Sequence, residues 1–387
     1  MGETRVSNNG ISQNGSSNNG GVDRAYWLAW AQVRGLGPLL LQRLEEHCGS
    51  LAAAWAAPIA ELQAIDGFGP NKIAAIRETR TRLDPWQFLD FHSQKNPRFW
   101  TPADPEYPAL LREIPRFPPV LYVRGRGVAF GPEAWQKTVA IVGTRQPSDY
   151  GRRWTRRLSQ ILAEHGFTIV SGLAAGVDAE AHQSCLQAGG ATVGVLGTGV
   201  DVVYPERNRS IYEKILTTGW VMSEYPAQTQ PNKTHFPQRN RIIAGLCRAT
   251  LVMEGSMKSG ALITANLANE FGREVYALPG SLDNPQSIGC LKLIRDGAQM
   301  IFDLEQLLED LGALPQMDCA PPALQPIPAG LDPDLAQVIQ ILGPEPLPLD
   351  YIVVQTGLPT ATVSSALLQL ELMALIVQVP GMRYQRC

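Results

Sequence analysis

Apolar residues follow three different rules along the chain. From residue 23 to 93 they recur at helical spacing in runs rich in Ala and Leu, broken by two glycine turns, RGLGPLLLQRLEEHCG and IDGFGPNKIAAI. Each turn sets a Gly, an apolar residue and a second Gly between helical runs. That spacing predicts an all-α module of two helix-hairpin-helix units, or the related five-helix, SAM-like module. Such turns present backbone N–H groups at a helix start, where a phosphate can bind, or they simply allow tight reversal between packed helices. Few Lys or Arg residues flank them, which favours the second reading.

From 94 to 312 the period changes. TVAIVG, FTIVSG, TVGVLG, WVMSEYP, TLVMEG, EVYALPG and AQMIF are short, apolar on both faces and β-branched. Helical stretches such as DYGRRWTRRLSQILAEHG and SGALITANLANEFG separate them. Strands buried on both sides and alternating with helices predict an α/β fold with a doubly wound parallel sheet. YPALLREIPRFPPVLYVRG, just ahead, adds a strand or two.

Residues 313–330, ALPQMDCAPPALQPIPAG, are Pro-rich and aperiodic and read as a linker. Residues 331–387 read as helix, turn at Gly357, second helix and strand pair, a winged-helix layout. A DNA-reading second helix, near Thr360 to Leu372, would carry basic and amide side chains. It carries Thr, Ser, Gln and Leu, so a protein-contact or regulatory wing is the favoured expectation. The first 22 residues, rich in Asn, Ser and Gly without an apolar centre, read as a disordered tail rather than a signal peptide.

Composition narrows the function. A net charge of −3 and 44% hydrophobic residues describe a soluble globular chain, so any polyanion must be met by a local patch. The six cysteines form no C-x-x-C and the five histidines are dispersed. Neither a zinc site nor a disulfide framework is expected, and a reducing cytoplasm fits best. No run approaches the roughly 18 apolar residues of a membrane span.

The candidate chemistry lies at strand ends, where open parallel sheets bind ligands. VGTR carries Gly143, Thr144 and Arg145; SGLAAGVD carries Gly172, Gly176 and Asp178; LGTG spans Leu196 to Gly199; EGSMKSG carries Lys258, Ser259 and Gly260. Small residues there let backbone N–H groups approach an anion, and Arg145 and Lys258 add full charges. Any sheet of this kind also needs small residues where strands turn into helices. No G-x-x-x-x-G-K-[ST] is present, nor a G-x-G-x-x-G after the first strand, so neither a P-loop nor a dinucleotide fingerprint is supported. Asp178 and His182 lie four apart and form either an acid–base pair or, the favoured reading, a helix-start residue beside a packed histidine. Glu224 and Glu254 end strands at the same edge without a partner nucleophile.

KTHFPQRNR follows the fourth strand of that series and opens the next helix. Pro237 suits the first helical turn. Arg239, Asn240 and Arg241 then fall near that turn, with Lys233 and Phe236 on the loop before it. Cations that track phosphates beside an exposed ring make a binding site for single strands of any sequence. Alternatively Phe236 is buried and the arginines are structural.

VAIVGTR, IVSGLAAGVDAEAH, GGATVGVLGTGVDVVYPERN, SEYP, FPQRNRIIAGL, LVMEGSMKSGALITANLA, GREVYALPG and GCLKLIRDGA, in this order from about Thr138 to Ala298, resemble the DNA-processing DprA/Smf family. Weaker similarity covers the helical module and the C-terminal wing. The resemblance implies an extended Rossmann-like core that binds single-stranded DNA and protects it, forms a homodimer and loads the recombinase RecA in natural transformation. No catalysis, cofactor, metal or membrane is implied. Carried over, the DNA pocket uses Arg145, Lys233, Phe236, Arg239, Asn240 and Arg241, with backbone around Gly143, Gly172, Gly176 and Gly260, and Lys258 and Ser259 beside it. Many members have lysine where this chain has Ala175; the arginines 152, 153, 156 and 157 either compensate or form a solvated helix face. The rival is a nucleotide-binding enzyme of the phosphoribohydrolase type, whose PGGxGT loop this chain lacks.

Overall fold

The computed structural model describes residues 19–126, 135, 137–313, 331–343, 347–373, 375–379 and 383–386. Six helices come first: α1 (Asn19–Trp30), α2 (Pro38–Cys48), α3 (Leu51–Ala56), α4 (Ile59–Gln63), α5 (Pro70–Arg82) and α6 (Pro85–Lys95). The two glycine turns are where the spacing placed them. Gly35 and Gly67 take φ of +82° and +92°, and Pro38 and Pro70 open the helices that follow. Two of the cations around these turns are occupied: Arg43 donates to the Asp66 carboxylate and carbonyl, both at 2.8 Å, and Lys72 donates to the Gly67 carbonyl at 2.7 Å. α1 begins at Asn19, earlier than the tail expected over 1–22 would allow; the rest of that tail lies outside the described residues.

The α/β part contains β1 (Phe99–Trp100), α7 (Ala109–Arg112), β2 (Leu121–Gly125), β3 (Thr138–Val142), α8 (Asp149–Glu164), β4 (Thr168–Ser171), α9 (Val177–Gln187), β5 (Thr192–Val195), α10 (Arg209–Thr218), β6 (Trp220–Ser223), α11 (His235–Gly245), β7 (Ala249–Val252), α12 (Gly260–Glu270), β8 (Glu274–Ala277), α13 (Ile288–Arg295), β9 (Gln299–Met300) and α14 (Leu304–Ala313). The strands form a nine-stranded sheet in the order β1-β2-β6-β5-β4-β3-β7-β8-β9. From β3 to β9 every pairing is parallel; β2 joins β6 antiparallel and β1 joins β2 antiparallel. This is the doubly wound sheet, extended at one edge by the two early strands. The chain winds outward from β3 through β6, then returns to lay β7 against the other side of β3. The topological switch point therefore falls between the carboxyl ends of β3 and β7, where a sheet of this type opens a crevice.

The helical module and the sheet share one core, although composition suggested a boundary at 93/94. Trp27, Trp30 and Leu41 join Leu111, Ile114, Ile242 and Leu246 in a single buried cluster. Arg24 donates to the Phe99 carbonyl at 2.8 Å and pairs with Asp104 at 3.2 Å. Asn96 accepts the Ala227 N–H through Oδ1 at 2.8 Å. The two segments form one compact unit, and the C-terminal segment forms a second.

That second unit has α15 (Pro333–Ile341), β10 (Leu347–Pro348), α16 (Leu349–Thr356), α17 (Thr360–Leu372), β11 (Ile376–Val379) and β12 (Arg383–Arg386), with strand order β10-β12-β11. Gly357, at φ +66°, ends α16 as expected. It is a winged helix; α15 and β10 complete the layout read from the sequence. The linker expected over 313–330 lies outside the described residues except Ala313, which closes α14. Among the described residues no helix is long and apolar enough to cross a membrane, and no cluster of His, Cys, Asp and Glu is arranged to hold a metal.

Candidate nucleic-acid interface

A cleft of about 580 Å³ opens at the switch point. Its walls come from the turn after β3 (Gly143, Thr144, Arg145), the start of α11 (Lys233, Phe236, Asn240) and the start of α12 (Ser259, Gly260). Sequence-distant segments meet here because parallel strands all deliver their carboxyl ends to one edge.

Glu254, buried at the end of β7, assembles one wall. Its carboxylate accepts from Ser148 N at 2.8 Å, Ser148 Oγ at 2.6 Å and Asn284 Nδ2 at 3.0 Å, and its backbone carbonyl accepts from Thr144 N at 2.7 Å. These bonds fix both ends of the turn carrying Arg145. Gly176, at φ +83°, closes the other side: a Cβ there would lie 2.4 Å from the Thr144 carbonyl oxygen. It sets the close approach of the two turns and stands outside the cleft lining.

Arg145 and Lys233 are exposed and pair with no carboxylate among the described residues. Lys233 sits on a turn held by Asn232, whose Oδ1 accepts from Thr234 N at 3.0 Å and Thr234 Oγ1 at 2.9 Å. Phe236 lies within the first turn of α11, one step further along than the loop position expected, because the helix begins at His235. It is half-buried, packed over Gly197 of LGTG, where a Cβ would come within 2.9 Å of the ring. Its other neighbour is Tyr204, with ring centroids 5.4 Å apart and planes 32° from parallel. Tyr204 is 44% exposed, so the pair offers an open aromatic surface beside two cations.

Asn240 lines the cleft and donates to the Gly260 carbonyl at 3.3 Å, linking the starts of α11 and α12. Ser259 caps α12 by accepting from Ala261 N at 3.3 Å. Gly260, Ala261 and Ile263 at the start of that helix line the same cleft, at the positive end of the helix dipole.

Four of the expected contact residues are placed differently from the surface positions expected of them. Arg239 does line the cleft, but it is 4% exposed and its guanidinium is engaged with backbone: Nη1 donates to the carbonyls of Gly172, at 2.7 Å, and Val195. Burial pulls its pKa down to about 10, Asp178 opposing and Arg145 reinforcing the shift. Gly172 is likewise engaged, its N–H donating to Asp178 Oδ2 at 3.1 Å. Arg241 forms a two-pronged pair with Glu224, both bonds 2.7 Å, and donates to the Arg116 carbonyl at 2.7 Å. Lys258 is exposed on the turn ahead of α12 and stands outside the cleft lining.

The suspected acid–base pair has structural partners. Asp178 accepts from Gly172 N and Ala174 N, at 3.1 and 3.3 Å, and burial raises its pKa against the pull of Arg239. His182 bonds Thr192 Oγ1 at 2.7 Å, and burial drops its pKa to about 3. A buried cation thus ties down strand-end carbonyls while a buried carboxylate ties down the neighbouring N–H groups. Arg152 and Arg156 pair with Glu180 at 3.9 and 2.7 Å, Arg153 and Arg157 lie against Tyr150 and Trp154, and none lines the cleft. Ala175 is 6% exposed; its neighbour Ala174 reaches the cleft.

Sequence reading missed Tyr204. The signal was VVYPERN: an aromatic beside a proline in the loop after β5, at the edge where the other loops gather. It also missed Tyr225, which stacks on His235 at 3.9 Å and 14° and so steadies the start of α11.

Residues 98–312 match the family described as DNA recombination-mediator protein A, and residues 321–382 match the DprA winged helix domain. The chain is similar to Protein Smf of Synechocystis sp., 49% identical over 94% of this chain and 99% of that protein. It is 43% identical to the DNA processing protein DprA of Streptococcus pneumoniae over 56% of this chain and 75% of that one. The X-ray structure of the Streptococcus pneumoniae protein superposes with a TM-score of 0.65 at 35% identity, covering 74% of this chain and 97% of that chain.

Proposed function

The chain belongs to the DprA/Smf family of DNA-processing proteins, and from that premise we propose that the switch-point cleft binds single-stranded DNA without reading its sequence. One observation carries the reading: two exposed cations with no carboxylate partner among the described residues, Arg145 and Lys233, flank the open ring pair Tyr204–Phe236 within one cleft. Cations meet the phosphates, the rings stack on unpaired bases, and the N-terminus of α12 adds partial positive charge. A duplex hides its base faces and cannot use the ring pair.

On this reading the protein works without catalysis in the cytoplasm. It protects an incoming strand during natural transformation, acts as a homodimer and hands the strand to RecA. The family resemblance supports these roles. Against a phosphoribohydrolase stand the engaged partners of Asp178 and His182 and the absence of the PGGxGT loop from the sequence.

The test is fluorescence anisotropy of labelled oligo-dT across a salt series, with a duplex of the same length beside it. Tight, salt-sensitive binding that favours the single strand is expected. Equal affinity for the duplex, or no binding at low salt, overturns the proposal, and release of base from nucleoside monophosphates would establish the enzyme instead.

A further inference from the structure

A second groove, of about 500 Å³, runs between α9 and α10. Its walls carry Gln183 and Gln187 from α9, Arg207 from the short turn ahead of α10, and Ser210 and Lys214. The lining has two cations, several amide and hydroxyl groups and no carboxylate. Both cations are exposed, and neither pairs with a carboxylate among the described residues. Nearby carboxylates are already answered by other cations: Glu206 by Arg209 at 2.5 Å, Glu180 by Arg156 at 2.7 Å. Glu213, next to Lys214 in sequence, stands outside the lining.

This groove adjoins the cleft. Asn208 lines it and donates Nδ2 to the carbonyls of Leu173 and Ala174, at 2.9 and 3.0 Å, and Ala174 is itself part of the cleft wall. Arg207 follows Tyr204 by three residues, at most about 11 Å of chain. A strand stacked on the ring pair and leaving past Tyr204 therefore meets Arg207 first and Lys214 further along. The groove has no exposed aromatic, so it suits backbone rather than bases.

Building on the single-strand reading of the cleft, we propose that the α9–α10 groove is a second, phosphate-contacting segment of the same path, with Arg207 and Lys214 as its contacts. The cleft then holds stacked nucleotides and the groove guides the chain that leaves it.

The test uses the full chain, the variant Arg207→Ala/Lys214→Ala, and oligo-dT of about 6 and about 20 nucleotides. Because both side chains are exposed, the variant is expected to melt with the wild type. The short oligomer should bind both proteins alike. For the long one the variant should lose two phosphate contacts. That flattens the plot of log affinity against log salt by about 1.4 and weakens binding roughly 25-fold near 0.1 M salt. Arg207→Lys/Lys214→Arg should restore the slope. An unchanged slope and affinity for the long oligomer would overturn the groove. Failure of the short oligomer on wild-type protein, with the long one still sensitive to the variant, would strike the cleft and leave the groove standing.

Discussion

Arg145 and Arg241 lie near the same cleft and carry the same charge, yet their loss should have opposite consequences. Arg145→Ala removes an exposed cation with no carboxylate partner among the described residues. The fold should be indifferent. Binding to oligo-dT should weaken about five-fold near 0.1 M salt, and the salt slope should flatten by about 0.7, the value of one phosphate contact on a single strand. Arg241→Ala instead strips Glu224 of its partner. The two side chains are only 12% and 18% exposed and share two bonds of 2.7 Å, so the carboxylate is left largely desolvated and alone. Breaking such a pair costs about 3 kcal/mol, a fall of roughly 6 °C in melting temperature for a unit of this size. The strand affinity of the folded fraction should keep its wild-type slope. Calorimetry and anisotropy titrations on both variants separate the two cases. If Arg241→Ala flattened the slope as Arg145→Ala does, with an unchanged melting temperature, the inference from burial to role would be wrong.

Phe236→Ala should weaken oligo-dT binding by roughly 5- to 150-fold, the value of one to a few kcal/mol of stacking, with the salt slope unmoved. Tyr204→Ala should do the same; a changed slope in either would mean that the rings act by placing a cation. His182 predicts acid sensitivity. Its folded pKa of about 3 lies below the ordinary 6.5, so below pH 6.5 the unfolded chain binds the extra proton. Stability held above that pH is lost progressively as pH falls toward 3, by about 2 kcal/mol at about pH 5. Urea unfolding of wild type and His182→Gln at neutral and acid pH should show the wild type losing more; parallel curves would refute it.

The sheet was legible because its strands are buried on both faces, leaving continuous β-branched runs that no surface helix would carry. The site was legible only in part. Gly143, Arg145, Lys233, Phe236, Asn240, Ser259 and Gly260 come together as their strand-end positions implied. Arg239 and Arg241 do not serve as surface cations, because sequence shows charge and leaves burial unstated. α11 packs on the sheet, and its period turns Arg239 inward to the strand ends while Arg241 meets Glu224. Tyr204 escaped notice because it belongs to no periodic element. Its partner ring, Phe236, lies at the start of α11, and only the return of the chain across the sheet brings the two together.

The bonds that Glu254 makes to the β3–α8 turn and to Asn284 also decide where the entropy of recognition falls. The turn bearing Arg145 is anchored at Thr144 and Ser148 before any strand arrives, so its backbone has little freedom left to lose. An unpaired DNA strand is the floppy partner and must surrender most of the disorder on binding. On the proposed single-strand reading the cleft is a rigid template against which a flexible polymer is straightened, and a strand already held extended should find it cheaper to occupy than a coiled one.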